Sequence, residues 1–347
     1  MSAPEIRIDQ LTGLRTVLAP GRAVRPDAFD RAEIPAAVAG AECPFCEGHE
    51  DRTPPEVWAN RPRGGDPDTP GWTARAVPNL YPVLGADGDP APDVESGLGS
   101  AADPLRASAR ERAPDLFSRL PAGGAHEVIV SAPEHVASLS ALDEDRFAGT
   151  VAAWRERMRA HSDAPYVHLI VNEGPDAGAS LEHTHAQLYA LPFVPVAIAR
   201  ERERFAAYHE RTMGGSLLSD IAAEEVRRRE RLVAIDDDAL VVCPWASRSP
   251  FELRVIPRRP APSFETEDGT ATAMIRTALV ALARRFGAPP QLNLWVRTAP
   301  RGAEHFGWHV DIVPRLTIRA GFEMGTGVEV NVYPPERAAA DLREALD

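Results

Sequence analysis

Residues 166–192 read YVHLIVNEGPDAGASLEHTHAQLYALP, and this stretch decides the fold. YVHLIVNEG is a strand pattern, PDAGAS is a glycine-bearing turn, and AQLYALP is a second strand pattern. Upstream, HEVIVSAP at 126–133 predicts another strand. Residues 143–161 predict an amphipathic helix with Phe147, Val151, Trp154 and Met158 on one face. Downstream the same order returns: FELRVIP at 251–257, a helix over roughly 270–286, QLNLWVRTAP at 291–300 and WHVDIVPRL at 308–316. The spacing between the two copies is nearly constant. Glu127-Val128-Ile129-Val130 recurs 125 residues on as Glu252-Leu253-Arg254-Val255. Val171 and Pro175 recur at the same offset as Val296 and Pro300, and His185 recurs 124 residues on as His309. This predicts a duplicated α+β unit, strand–helix–strand–strand, with an antiparallel sheet. A chain of 347 residues has room for two such halves, placed at 1–195 and 196–347.

The flanks are less regular. Residues 5–18 read as two short strands around the turn Thr12-Gly13. From Asp51 to Gly124 the chain is rich in Pro, Gly and Asp, and a long surface loop is expected at 84–124. Residues 196–232 read as long, solvated helix broken near Gly214-Gly215, and LVVCP at 240–244 as a strand.

The 38 basic residues are all arginine, against 51 acidic ones, for a net charge of -13. Without lysine there is no Walker lysine, no Schiff-base lysine and no lysine general base. Side-chain charge on a phosphate must come from arginine or histidine, and the planar guanidinium fork suits phosphate oxygens. No basic block marks a nucleic-acid partner. No run of about 18 apolar residues marks a membrane span, and the N-terminal MSAPEIRIDQ lacks a signal pattern. The expected location is the cytoplasm. Of the three cysteines, Cys243 sits in an apolar run and reads as core.

Chemistry concentrates in residues 172–192. His183, His185 and Gln187 alternate, so on a strand they share one face. The preceding turn, with Gly174, Gly178 and Ser180, lets backbone N–H groups approach phosphate oxygens. The same row also fits two strand histidines without chemistry, or a plain metal clip. Cys43-Pro-Phe-Cys46 is half of a zinc site. Histidine must complete it, from His49, His126, His135 or His183; a redox CxxC would need a thioredoxin-like βαβ context, which is missing. Arg22 and Arg25 lie in a Pro/Gly turn able to clamp phosphates, or simply solvated. His309 and Asp311 share a strand face, with His305 nearby, as part of a second metal site or a remnant of the first copy.

Seven segments in order carry a family resemblance: TGLRTVLAPGRAVRP, CPFCEGHEDRTPPEV, RAVPNLYPVL, HEVIVSAPEH, NEGPDAGASLEHTHAQ, CPWASRSPFELRVIP and HVDIVPRLTIRAGFEMGTG. From Arg7 to about Glu344 the chain resembles galactose-1-phosphate uridylyltransferase, the transferase branch of the histidine-triad superfamily. The resemblance implies two tandem histidine-triad-like halves in a homodimer. It implies His185 as a nucleophile that carries the nucleotide and Gln187 as its hydrogen-bonding partner on the phosphoryl group. Cys43, Cys46, His135 and His183 become ligands of one structural Zn2+. Arg22, Arg25 and Ser180 fall near the phosphates, Asn79 and Asn172 near the nucleotide, and Glu323 near the sugar.

Some members hold a second metal on one glutamate and three histidines. Glu201 and His309 fall at matching places. Asp311 stands where a histidine is expected, and none stands near Val296 and Arg297. This chain also writes HTH where members often write HPH. The implied reaction is ping-pong transfer from UDP-glucose to a sugar 1-phosphate such as galactose 1-phosphate. AGASLEHTHAQLYALP is also similar to ADP-glucose phosphorylases. The alternatives are therefore an ADP-sugar or dinucleoside-polyphosphate phosphorylase, a hydrolase, or a zinc-stabilised binding protein.

Overall fold

A hairpin opens the computed structural model, which describes residues 4–24, 43–85 and 122–347. Its strands are β1 (Glu5–Ile8) and β2 (Arg15–Leu18). The turn closes because Asp9 Oδ1 accepts from the Thr12 N–H at 2.7 Å and its hydroxyl at 2.8 Å, while Gly13 takes φ +66°. Next come β3 (Trp58–Asn60) and β4 (Ala74–Pro78), inside the stretch read as loop-rich. Residues 86–121, most of the expected long loop, lie outside the described residues.

The first copy of the repeat is β5 (Ala125–Val130), α1 (Glu144–Ala160), β6 (Tyr166–Glu173) and β7 (His185–Leu191). Helix α1 starts where it does because the Asp143 carboxylate accepts the Arg146 N–H at 2.8 Å. Acidic residues fill its first turn and arginines its last. Phe147, Val151, Trp154 and Met158 are all buried, as the 3.6-residue period requires. Two helices follow, α2 (Val196–Arg211) and α3 (Leu217–Arg228), separated at Gly214-Gly215. They are not simply solvated, since Ile198, Phe205, Leu217 and Leu218 form a core with Leu240, Val242 and Ile256. After β8 (Leu232–Ile235) and β9 (Ala239–Val242), the second copy runs β10 (Leu253–Pro257), α4 (Thr272–Phe286), β11 (Leu292–Arg297) and β12 (His309–Pro314). The chain ends in α5 (Gly321–Thr326), β13 (Glu329–Asn331) and α6 (Pro335–Leu346).

Ten strands form one sheet in the order β3-β4-β5-β7-β6-β11-β12-β10-β9-β8. Counted inward, either edge gives the same arrangement: β3-β4-β5-β7-β6 from one side and β8-β9-β10-β12-β11 from the other. The two copies meet at an antiparallel pairing of β6 with β11, where Ile170 faces Trp295. The duplication is thus a pseudo-twofold about that pair, and the two half-sheets fuse into one. The β1-β2 hairpin takes β13 as a parallel third strand in a small separate sheet. On one face of the large sheet α1 and α4 bury Leu169, Val171, Leu188, Leu294, Val296 and Ile312. On the other face α2 and α3 cover the second copy. The first copy's half of that face carries His185 and Gln187.

Candidate active site

Strand pairing fixes which side chains share the face opposite α1 and α4. Val128 pairs with Gln187, Gln187 with Ile170, Ile170 with Trp295, Trp295 with Asp311, and Asp311 with Arg254. Side chains alternate along each strand, so His185, two residues before Gln187, also points to this face. His185 is 5 % exposed. Its Nδ1 lies 2.8 Å from the His183 carbonyl oxygen. A carbonyl only accepts, so Nδ1 carries the proton and Nε2 keeps a bare lone pair. Burial pushes the imidazole below the ordinary histidine pKa, opposed by that hydrogen bond. The Phe45 ring packs edge-on against it with centroids 5.1 Å apart.

Behind His185 the other face of the strand is tied down, and beside it the four expected ligands converge. Cys43 Sγ lies 3.6 Å and Cys46 Sγ 3.7 Å from His183 Nδ1, and Cys46 Sγ lies 3.5 Å from His135 Nδ1. All four ligand atoms sit within 4.8 Å of one another. Tetrahedral bonds of about 2.3 Å to sulfur and about 2.0–2.1 Å to nitrogen would space such neighbours about 3.6 Å apart. His183 Nε2 donates to the Ala132 carbonyl at 2.9 Å, which leaves Nδ1 free to bind. Burial, then the adjacent Cys43, pushes the Cys46 thiol up to about 11. The donor set fits a metal ion. His49 and His126 are not ligands: His49 Nδ1 donates to the Cys43 carbonyl at 2.7 Å and braces the knuckle.

His126 belongs to the neighbouring group, which the sequence reading had not assembled. Its Nε2 lies 3.0 Å from Gln187 Oε1, and the Tyr189 hydroxyl donates to the same oxygen at 2.9 Å. The His126 and Tyr189 rings stack at 4.2 Å. Asn79 Nδ2 lies 3.1 Å from His126 Nε2, and its carbonyl accepts the Tyr81 N–H at 2.8 Å. Only strand register brings His126 to Gln187.

On the other side of His185, Asn172 Oδ1 accepts from Asn293 Nδ2 at 2.8 Å. Asn293 and Trp295 then line a cavity of about 560 Å³ with Arg22, Arg248, Arg315 and Glu323. The turn at 174–180 is built on Gly174 at φ +85° and Gly178 at φ +88°. A Cβ at Gly174 would meet Gln291 Cγ at 2.4 Å, so no side chain fits there. Ser180 is exposed at the end of this turn. Glu323 caps α5 by accepting the Ala320 N–H at 2.9 Å. Arg25 lies outside the described residues.

His309 is 1 % exposed, with Nδ1 donating to Gly307 O at 3.1 Å. Asp311 accepts from Arg254 Nε at 2.7 Å and from Trp295 Nε1 at 3.2 Å. Burial opposes ionisation there, but Arg254, His309 and Arg248 hold Asp311 well below the usual carboxylate range. Arg297 Nε lies 3.5 Å from Glu201 Oε1. Guanidinium groups thus stand where a second metal would need open ligands. Glu201, His309 and Asp311 do not fit one, and among the described residues they form no metal-ligand cluster.

A family model described as "Domain of unknown function (DUF4921)" matches residues 110–347. The chain belongs to this family. ADP-glucose phosphorylase of Arabidopsis thaliana is 28% identical over 99% of this chain and 93% of its own length. The galactose-1-phosphate uridylyltransferase of Cryptococcus neoformans is 28% identical over 70% of this chain and 71% of its own. The crystal structure of the Arabidopsis ADP-glucose phosphorylase with bound ADP-glucose superposes with a TM-score of 0.77 at 26% identity, covering 99% of both chains. This DUF4921 member is therefore a relative of the galactose-1-phosphate uridylyltransferases and of ADP-glucose phosphorylase, and stands among nucleotidyl-transfer enzymes. No helix among the described residues is long and apolar enough to cross a membrane.

Proposed function

We propose that this chain is an ADP-sugar phosphorylase in which His185 carries the nucleotide. The observation that carries the choice is the near full-length similarity to the Arabidopsis phosphorylase, which covers 99% of this chain, against 70% for the uridylyltransferase. It favours the alternative reading of the motifs over uridylyl transfer.

His185 Nε2 attacks the phosphorus of the nucleoside monophosphate moiety of a nucleotide sugar. The bond to the bridging oxygen breaks, and the sugar 1-phosphate leaves with the electron pair. An oxygen of inorganic phosphate then attacks the same phosphorus, the N–P bond breaks, and the nucleoside diphosphate departs. The proton on Nδ1 stays on the imidazole throughout, shared with the His183 carbonyl. With its carbonyl engaged by Tyr189 and His126, Gln187 turns its amide nitrogen to the transferred group's oxygens. The Gly178–Ser180 backbone, Arg22 and Arg25 serve the phosphates, Asn79 and Asn172 the nucleotide, and Glu323 the sugar. Zinc on Cys43, Cys46, His135 and His183 would supply no chemistry to the transfer; these residues hold the strand start beneath His185. The halves 1–195 and 196–347, the cytoplasmic location and a homodimer complete the reading.

A second reading, uridylyl transfer from UDP-glucose to galactose 1-phosphate, uses the same nucleophile and is favoured by the similarity to the uridylyltransferases. Intact-protein mass spectrometry after exposure to ADP-glucose, and separately to UDP-glucose, tests both. The expected result is a gain of one AMP from ADP-glucose, discharged by inorganic phosphate and absent in His185→Gly. A UMP adduct discharged only by galactose 1-phosphate would transfer the assignment to the second reading. No adduct with either donor would sink the covalent mechanism.

A further inference from the structure

We propose that Thr184 and Glu173 are positioning residues that set where His185 presents its Nε2; the kinetic part of this rests on the reading of His185 as nucleophile. Thr184 lies between a metal ligand and that nucleophile, and its side chain points to the opposite, helix-covered face of the sheet. It is 1 % exposed, as is Glu173 at the end of β6. The Thr184 hydroxyl donates to Glu173 Oε1 at 2.9 Å. The same carboxylate accepts the Leu139 N–H at 2.6 Å and the Ser138 hydroxyl at 2.8 Å. The Thr184 N–H donates to the Val136 carbonyl at 2.6 Å, one residue past the ligand His135.

A fully buried carboxylate with no guanidinium on it is expensive unless several donors surround it. Here three donors come from two separated segments, 138–139 and 184. Glu173 therefore ties the loop after His135 and the strand start 183–185 to the end of β6. Gly174 follows Glu173 directly and opens the phosphate turn. One carboxylate thus fixes three parts of the site relative to each other: the nucleophile strand, the metal-ligand loop and the turn. A proline at 184 would offer neither of the two donors Thr184 uses. Preorganisation of this kind acts on rate, because a displacement of about 1 Å at the reacting atom costs about 10²-fold.

The full-length protein and its Thr184→Val, Thr184→Ser and Glu173→Gln variants test this. Three quantities are read: the rate of nucleotide loading on His185 from ADP-glucose and UDP-glucose, the zinc content, and hydrogen exchange of the peptide spanning 181–191. Thr184→Val keeps shape and removes one donor. It is expected to load roughly 10-fold to 10²-fold more slowly, with zinc content and the KM for nucleotide sugar unchanged and faster exchange in 181–191. Thr184→Ser is expected to restore both rate and protection, and Glu173→Gln to match or exceed the valine defect. Wild-type loading and exchange in Thr184→Val would overturn the proposal. So would loss of zinc in that variant, since the pair would then be holding the metal knuckle. If wild-type protein loads neither nucleotide, the nucleophile reading fails alone. The exchange comparison then still decides the Thr184–Glu173 link: faster exchange in Thr184→Val and Glu173→Gln upholds it, and unchanged exchange overturns it.

Discussion

His185 and His309 occupy equivalent places in the two copies, yet their surroundings make them opposites. His185 keeps a bare Nε2 because its Nδ1 donates to the His183 carbonyl, whereas His309 lies among Arg254, Arg297 and Asp311. Burial first, then Arg254, lowers His309 to about 3. An unfolded histidine titrates near 6.5. The folded pKa is the lower of the two, so the stability from neutral His309 is complete above pH 6.5. It is lost as pH falls toward 3, at about 1.4 kcal/mol per pH unit. Urea unfolding from pH 7.5 to 5 should show this loss, and His309→Gln should make the slope shallower; an unchanged slope contradicts the assignment. Gln187→Ala should lower kcat by about 10²-fold or more with the fold intact, because one preorganised donor is removed; a variant with wild-type kcat would take Gln187 out of the chemistry. The row His183, His185, Gln187 was legible in the sequence because strands alternate. His126 and Asn293 were not, because they reach the site through register, from strands 61 and 121 residues away from their partners.

Elements explain why some motifs act together. Phe45, inside the Cys43–Cys46 knuckle, leans on both His183 and His185. Chelation should therefore slow transfer as well as loosen the knuckle. Cys43→Ser should lose metal and thermal stability more than it alters KM, and metal analysis beside the melting curve checks this; full metal content would remove Cys43 from the ligand set. In α1, Trp154 is fully buried. Trp154→Ala should cost roughly 3–5 kcal/mol in denaturant unfolding, and a cost under about 1 kcal/mol would contradict the packing. Helices α1 and α4 were legible from their period and the long central strands from their apolar runs. Strands β3 and β13 span only three residues, too short for a period to register, and β8, of four, begins where the stretch read as solvated helix ends. They exist because neighbouring strands offer a ladder, which is a tertiary cause.

At the scale of the molecule, the repeat offset of 125 residues was enough to foresee two copies, but not that they would fuse. Pairing of β6 with β11 runs through five residue pairs, and α1 and α4 share one apolar core. Neither half ends in a free edge at the junction. Thermal unfolding should accordingly show one cooperative transition by both tryptophan fluorescence and far-UV circular dichroism, and two resolved transitions would mean the halves fold alone. The strand lengths of this palindromic sheet carry a further consequence. The longest strands, of eight and seven residues, lie near its centre, and both outer edges are short. One edge, β3, has three residues, and the other, β8, has four with a register shift between Leu232 and Ala234. Among the described residues, these two edges leave few unpaired backbone groups for a stranger's strand to zip onto, which works against edge-to-edge polymerisation through the large sheet.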